Sequence, residues 1–363
     1  MAVRNSPTPL HPGTTGPLRI GIVGCGRAAA ELHLPALART PIATATAAFD
    51  LDRVTLTQVA ERYSIPRRHA SVDDLLADPA VAAVIVCTPP ATHAEIALAA
   101  VAAGKHVLVE KPLALLPEDA ERMAAAERMI GTVTAVGLNL RCHRLVEEAR
   151  GIIASGALGP ISLLRTTWLA SAAHGGPLPD WRRQRSVGGG VVYEFGTHHV
   201  DLWRYLLGDE ISDVTALRRG DGDDDAAAVL SGRSSRGTLL SGTLNHDAPN
   251  ANEVDIVGSD GRVRFSLYRA DSLDVTMANG DYSPAARAHS LIRRAASLPA
   301  VVRAARGGGD FRNSYVRQLE RLVAAVHGEG APAATWADGL EASRIVQAAL
   351  DTAGHGHAEG SRA

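Results

Sequence analysis

Several features are scarce in this sequence, and each scarcity excludes something. Aromatic side chains make up 4% of the 363 residues, too few for the stacking platforms that hold single-stranded nucleic acid. The formal net charge is −2, so there is no electrostatic footprint for nucleic acid or an anionic membrane. The three cysteines, Cys25, Cys87 and Cys142, are scattered without metal-ligand spacing. They read as reduced thiols of a cytoplasmic protein, and no metal site is expected. No apolar run approaches the roughly 20 residues that span a bilayer. Residues 1–17 are rich in Pro, Ser and Thr without an apolar core, so they read as a disordered tail and not a signal peptide. What is present is ordinary: 46% hydrophobic and 21% charged residues, the balance of a globular protein. The length gives a prior of about two domains.

The first third reads as a dinucleotide site. Leu18 to Gly24 (LRIGIVG) is apolar and β-branched, the pattern of a buried strand. It runs into Gly24-Cys25-Gly26-Arg27-Ala28-Ala29 and a helix-like stretch through Ala38. In G-x-G-x-x-A, the first glycine permits a tight turn and the second lets the backbone approach a pyrophosphate. The small third residue lets helix pack on strand. The helix N-terminus offers free N–H groups to the anion. A second strand, Ile42 to Phe49, ends at Asp50, where an acidic side chain would accept hydrogen bonds from ribose hydroxyls. Asp50 would repel a 2′-phosphate, which favours NAD over NADP. Asp52 competes for that role, and the competing reading of Asp50 is a cap on the following helix. The alternation continues with helices at Leu51–Tyr63, Val72–Ala77 and His93–Ala103 and strands at Ala82–Cys87 and 105–109. Strands this apolar suit a parallel sheet covered on both faces. Ligands of open α/β sheets sit at the carboxyl ends of strands, where Thr88, Pro89, Glu110 and Lys111 fall.

Three segments, GIVGCGRAAAELHLPAL, VIVCTPPATHAEIALAAVAAGKHVLVEKPLAL and GGGVVYEFGTHHVDLWRYLLG, carry a resemblance to the Gfo/Idh/MocA family of NAD(P)-dependent oxidoreductases. It extends over nearly the whole chain beyond residue 17, and A-G-K-H-V-L-V-E-K-P is its most specific run. These enzymes act mostly on sugars and cyclitols. The resemblance implies that Lys111 lies between nicotinamide and substrate. A lysine there can donate to a substrate hydroxyl and stabilise a developing alkoxide. The cofactor set is then Gly24, Gly26, Arg27, Ala28, Asp50, Thr88, Pro89, His93, Glu110 and Lys111. His33 also falls in a family-like position. For His33 and His93 the competing reading is a structural histidine.

The rest reads as a substrate domain. Helix-like segments at Glu118–Met129 and Leu145–Ser155 flank a short strand, Thr132–Leu138, after which come Arg141 and His143. A strand at Ile161–Ala170 leads to a polar loop holding Trp181 and Arg182. By resemblance that pair lies near the active site, where a guanidinium can bind cofactor phosphate or substrate oxygens. Gly188-Gly189-Gly190 precedes a helix expected from Val192 to Leu207, stopped by Gly208. Glu194 and His198 are four apart and share a face; His199 is turned about 100° away. A carboxylate that orients an imidazole raises its basicity. The family pattern here is Asp-x-Gly-x-His, which makes His198 the general base. Glu194 replaces the Asp, its extra methylene shifting the carboxyl by about 1.5 Å. Arg141, Trp181, Arg182 and His199 are the substrate-binding candidates. From Ser212 the period becomes two, with six strand-like runs separated by turns such as Ser259-Asp260-Gly261. Residues 284–309 are Arg- and Ala-rich, and a solvated helix or mobile insert is favoured there over an acidic partner. Helices are expected at Phe311–His327 and Gly339–Thr352, before a disordered tail from residue 354.

The expected architecture is an α/β Rossmann domain over 18–138 and an α+β domain over 139–353 with a large, mostly antiparallel open sheet. By resemblance the free sheet face buries itself in a homodimer or homotetramer. The expected activity is NAD-dependent hydride transfer to or from a secondary alcohol of a sugar, aminosugar or cyclitol. His198 takes the hydroxyl proton, Lys111 polarises that oxygen, and Glu194 orients His198 or holds a neighbouring hydroxyl. The alternatives are transient redox by a tightly held NAD, giving epimerisation or glycoside cleavage, and a non-catalytic NAD-binding regulator.

Overall fold

The computed structural model describes residues 16–129, 131–171, 187–219, 226–269, 272–278, 295–296 and 298–353. Trp181, Arg182, the tail from residue 354, most of 1–17 and all of 284–294 lie outside the described residues. The chain divides into two compact units, Met1–Gly137 with Tyr315–Leu340, and Leu138–Ser314 with Glu341–Ala363.

The first unit holds a six-stranded sheet in the order β3-β2-β1-β4-β5-β6, every neighbouring pair parallel. Its strands are β1 (Leu18–Val23), β2 (Ala43–Phe49), β3 (Arg67–Arg68), β4 (Ala83–Val86), β5 (His106–Val109) and β6 (Thr134–Val136). The central strands β1, β4 and β5 are almost wholly buried, as expected of apolar runs covered on both faces. Between them run α1, a π turn at Ala29–His33 continuing as α-helix at Leu34–Leu37, then α2 (Arg53–Arg62), α3 (Val72–Ala77), α4 (His93–Ala102) and α5 (Pro117–Glu127). Ser71 caps α3 by accepting the Asp74 N–H at 3.0 Å. Strand order reverses at β1 and β4, which opens a crevice at their carboxyl ends.

The segment Tyr315–Leu340, expected with the second domain, clusters with the first unit. Side chains late in the chain hydrogen-bond to β6: Gln318 Nε2 donates to Val136 O at 3.2 Å and Trp336 Nε1 to Ala135 O at 3.2 Å. The Glu127 carboxylate accepts the backbone N–H of Trp336 and Ala337 at 3.0 and 3.1 Å. Those N–H groups begin a helix and have no partner within it, so an acidic side chain there also suits the helix dipole.

The second unit is built on a seven-stranded sheet in the order β13-β12-β11-β7-β10-β9-β8. The strands are β7 (Ile161–Ser171), β8 (Ile211–Arg219), β9 (Ala227–Ser234), β10 (Leu239–Asn245), β11 (Asp247–Gly258), β12 (Gly261–Ser266) and β13 (Asp274–Met277). All neighbours are antiparallel except β7 and β10, which run parallel. All six strands expected after residue 212 are present. One face packs on α6 (Arg144–Ala154) and α7 (Thr197–Leu207), with Leu164, Leu230, Leu244 and Ile256 meeting Val200, Leu202 and Trp203. The opposite face exposes Leu217, Val229 and Leu239, following the period-two alternation. Gly208 closes α7 in the left-handed region at φ +57°, which costs glycine little. The last helices are α8 (Asp310–Val326) and α9 (Trp336–Ala353), and the division between the units falls inside each.

Candidate active site

In the first unit, the expected cofactor residues gather at the carboxyl ends of β1, β2, β4 and β5. Gly24 has φ +88°, and a Cβ there would stand 2.8 Å from the Cys87 backbone carbonyl. Only glycine fits that close approach of β1 to β4. A Cβ at Gly26 would meet no described atom within 4 Å, which leaves the backbone open to a pyrophosphate. Asp50 does not cap α2. Its Oδ2 accepts the Cys25 N–H at 2.6 Å and its Oδ1 the Asp52 N–H at 2.8 Å. Asp52 makes the cap instead, accepting the Val54 N–H at 2.9 Å. Asp50 therefore braces the glycine loop from the end of β2. Arg27 pairs with Glu31 at 2.8 Å, one turn on and exposed. Ala28 is the N-cap of α1, and Ala29, the small third residue of the motif, is fully buried in its first turn.

Thr88 and Pro89 follow β4. The Thr88 hydroxyl accepts a hydrogen bond from Thr92 Oγ1 at 2.8 Å. His93 is buried and lies between two carbonyl oxygens, Nε2 at 2.8 Å from Thr88 O and Nδ1 at 2.9 Å from Pro112 O. It ties the turn after β4 to the turn after β5, so both readings of His93, structural and cofactor-related, concern the same place. Burial lowers its pKa, the backbone carbonyls only partly offsetting that loss. Glu110 is buried beside it in sequence to Lys111. Its Oε1 lies 2.7 Å from His33 Nε2, and its Oε2 accepts the Lys111 N–H at 3.1 Å. The Tyr315 ring packs edge-on to His33 at 5.3 Å. Cys25 and Cys87 are free thiols in this region. Burial, with the Asp50 charge, pushes Cys25 up to about 12, so it is inert at neutral pH.

In the second unit, the helix expected from Val192 begins as a π turn, Val192–Gly196, before α7. A single π turn inside a helix is uncommon and concentrates at functional sites. Glu194 sits in this turn. Its Oε2 lies 3.1 Å from Nε2 of His246, which follows β10. His246 had no local signal in the sequence, because strand pairing and not helical spacing brings it there. His198 is buried and packs on Trp168 of β7, ring centroids 5.1 Å apart. Trp168 stacks on Phe195 at 4.6 Å and 2°, and Phe195 meets His246 edge-on at 4.6 Å. His199 is wholly buried against the same tryptophan, centroids 5.9 Å apart. Burial pushes its pKa down to about 3, so the ring is neutral. Neither His199 nitrogen has a hydrogen-bond partner among the described residues, and the same holds for Trp168 Nε1 and the Asn252 amide. Asn252 of β11 stands directly opposite Trp168 of β7 in the sheet. Arg141, expected at the substrate, is buried in a forked pair with Asp201: Nη2 donates to Oδ1 at 2.6 Å and Nε to Oδ2 at 3.0 Å. Its guanidinium also lies over the Tyr205 ring at 5.1 Å.

The switch-point crevice, glycine cradle and terminal acid of the second strand define an NAD-binding Rossmann oxidoreductase. Two family models match the chain. One describes an oxidoreductase family with an NAD-binding Rossmann fold and covers residues 18–138; the other describes the GFO/IDH/MocA C-terminal domain and covers 146–264. The protein belongs to the Gfo/Idh/MocA family. A myo-inositol 2-dehydrogenase of Thermotoga maritima is 26% identical over 92% of this chain and 95% of its own length. A 1,5-anhydro-D-fructose reductase of Ensifer adhaerens is 30% identical over 82% of this chain and 85% of its own. A levoglucosan dehydrogenase solved with NADH and L-sorbose shares the fold, with TM-score 0.79 at 24% identity, covering 93% of this chain and 97% of the other. No helix among the described residues is long and apolar enough to cross a membrane, and no described cluster of His, Cys, Asp and Glu could hold a metal ion.

Proposed function

We propose that this protein is an NAD-dependent dehydrogenase or reductase acting on a secondary alcohol or ketone of a sugar, aminosugar or cyclitol. The observation that carries this reading is the mounting of Lys111 at the carboxyl end of β5. Its backbone is held by the buried Glu110 carboxylate, and the following Pro112 by His93. A lysine placed by two buried partners beside a dinucleotide loop is built for a task. Bound NAD supplies the hydride acceptor. Lys111 donates a hydrogen bond to the reacting oxygen and stabilises the alkoxide. His198, embedded against Trp168, receives the hydroxyl proton. Gly24, Gly26 and Ala28 cradle the pyrophosphate, and Asp50 selects the unphosphorylated ribose. The polyol substrates named for the relatives support the substrate class. The exposed Leu217, Val229 and Leu239 support assembly of like copies through the free face of the second sheet, which light scattering on a sizing column tests.

The test is NADH formation or consumption with myo-inositol, levoglucosan, 1,5-anhydro-D-fructose and L-sorbose. Net NADH accumulation with one of these polyols separates this reading from transient redox chemistry. Lys111→Ala and His198→Ala should each lower kcat by about 10²- to 10⁴-fold. Activity that survives both substitutions overturns the mechanism.

A further inference from the structure

The expected site gives Glu194 two alternatives, orienting His198 or holding a neighbouring hydroxyl, and includes no partner such as His246 for it. Both side chains are close to nine-tenths buried, at 11% and 7% exposure. His246 is fixed from three directions. Its N–H donates to Ala226 O at 2.9 Å, its ring meets Phe195 edge-on, and its Nε2 faces Glu194. Phe195 lies flat on Trp168, and Trp168 packs on His198. Rigid rings therefore join His246 to His198, while Glu194 reaches His246 directly. An aspartate at 194 would fall about 1.5 Å short of that contact. The glutamate and the histidine belong together as one device.

We infer that His246 is a positioning residue for Glu194, and that the positioned carboxylate accepts a hydrogen bond from a ring hydroxyl neighbouring the one that reacts. The ligand class is a neutral ring bearing vicinal hydroxyls. The inference rests on the proposed dehydrogenase reading and specifies its substrate-recognition residues. The imidazole stands 3.1 Å from one carboxylate oxygen as a close ion-pair contact without hydrogen-bond alignment, and its bulk restricts where the Glu194 carboxylate can swing before the substrate arrives. Such preorganisation strengthens binding by lowering the ordering cost. A site built around a hydroxyl also rejects the analogue that lacks it.

The experiment compares His246→Ala, His246→Gln, Glu194→Asp, Glu194→Gln and the Glu194→Gln/His246→Ala double variant with wild type. It uses full-length protein loaded with NADH and the four compounds above. Equilibrium binding of the polyol, KM and kcat, NADH affinity and thermal unfolding are all measured. His246→Ala should raise polyol Kd and KM about tenfold and change kcat much less, with NADH affinity unaltered. His246→Gln should regain most of that loss, because its amide fills the same place beside the carboxylate. Glu194→Asp should resemble His246→Ala, and the double variant should be no worse than its worse parent. Additive effects, or a polyol affinity indifferent to His246→Ala, overturn the inference. Equal losses in polyol and NADH binding overturn it as well, since they mark a purely structural histidine. A wild type that binds the polyols with this coupling but never turns them over sinks the dehydrogenase reading alone. A wild type that binds none of them sinks both.

Discussion

His33 Nε2 and Glu110 Oε1 lie 2.7 Å apart in the interior of the first unit. The contact joins the π turn after β1 to the residue preceding Lys111. Burial by itself raises the Glu110 pKa, but the hydrogen bond and charge of His33, with Lys111, bring it below the ordinary carboxylate value. The carboxylate is thus ionised at neutral pH. Because its folded pKa is depressed, its contribution is present above the unfolded pKa and is lost as pH falls through the folded one. Glu110→Gln keeps the shape but turns an N–H₂ toward one of two donors, His33 or the Lys111 backbone. The expected loss is about 1–3 kcal/mol in urea unfolding, the cost of a buried donor left without an acceptor. Gly137 leaves little room for rearrangement, since a Cβ there would sit 3.0 Å from the carboxylate. An unfolding midpoint unchanged by Glu110→Gln would refute this account.

Asp50 holds the Cys25 and Asp52 N–H groups, and the proposed preference for NAD sets its carboxylate against a 2′-phosphate. Asp50→Ser should weaken NADH binding about tenfold, by roughly one charged hydrogen bond. It should affect NADPH far less, because the repulsive charge goes with it. Fluorescence titration of both nucleotides reads the two constants. A wild-type protein that prefers NADPH contradicts the assignment outright.

Much of the first unit could be read from the chain because its signals are local. The apolar strands, the glycine loop and Asp50 lie within a few residues of the elements that they define. The six strands after residue 212 were legible for the same reason, as period two survives any pairing. What was not legible depends on distant partners. The π form of 29–33 and 192–196 departs from α by one residue per turn, and no composition signal marks it. His246 reaches Glu194 only because β10 lies parallel to β7 under α7. The return of Tyr315–Leu340 to the first unit includes hydrogen bonds from Gln318 and Trp336 to β6 and from two backbone N–H groups to Glu127, all between residues far apart in sequence. Arg141 is expected at the substrate from its place after a strand, whereas its fork with Asp201 depends on a partner 60 residues away.

That burial makes its own prediction. The Arg141–Asp201 fork leaves both charges with almost no exposure. Removing one partner breaks a forked ion pair in a low-dielectric interior, at a cost of about 3–5 kcal/mol. Arg141→Met should therefore lower the thermal midpoint strongly, before any effect on KM can be measured. Arg141→Met/Asp201→Leu should recover most of the loss, since apolar pairs replace buried ion pairs at little cost. A double variant no more stable than Arg141→Met would show that the fork supports more than itself.

His199 supplies a test of the interior of the second unit. Burial holds its ring neutral, with a pKa of about 3, against about 6.5 for an unfolded histidine. The folded form therefore binds no proton over a range where the unfolded chain does. The stability tied to this group is complete above about pH 6.5 and falls as pH drops from there toward 3. The slope is about 1.4 kcal/mol per pH unit. His93 and His106 are shifted down by burial as well and add loss of the same sign, so the wild-type curve alone does not isolate His199. His199→Phe does, because it removes one titrating ring and keeps an aromatic plane against Trp168. Between pH 7 and pH 5 the variant should lose about 2 kcal/mol less than wild type in urea unfolding, whatever constant offset the larger ring introduces. Parallel curves for the two proteins would mean that His199 takes up its proton in the folded state.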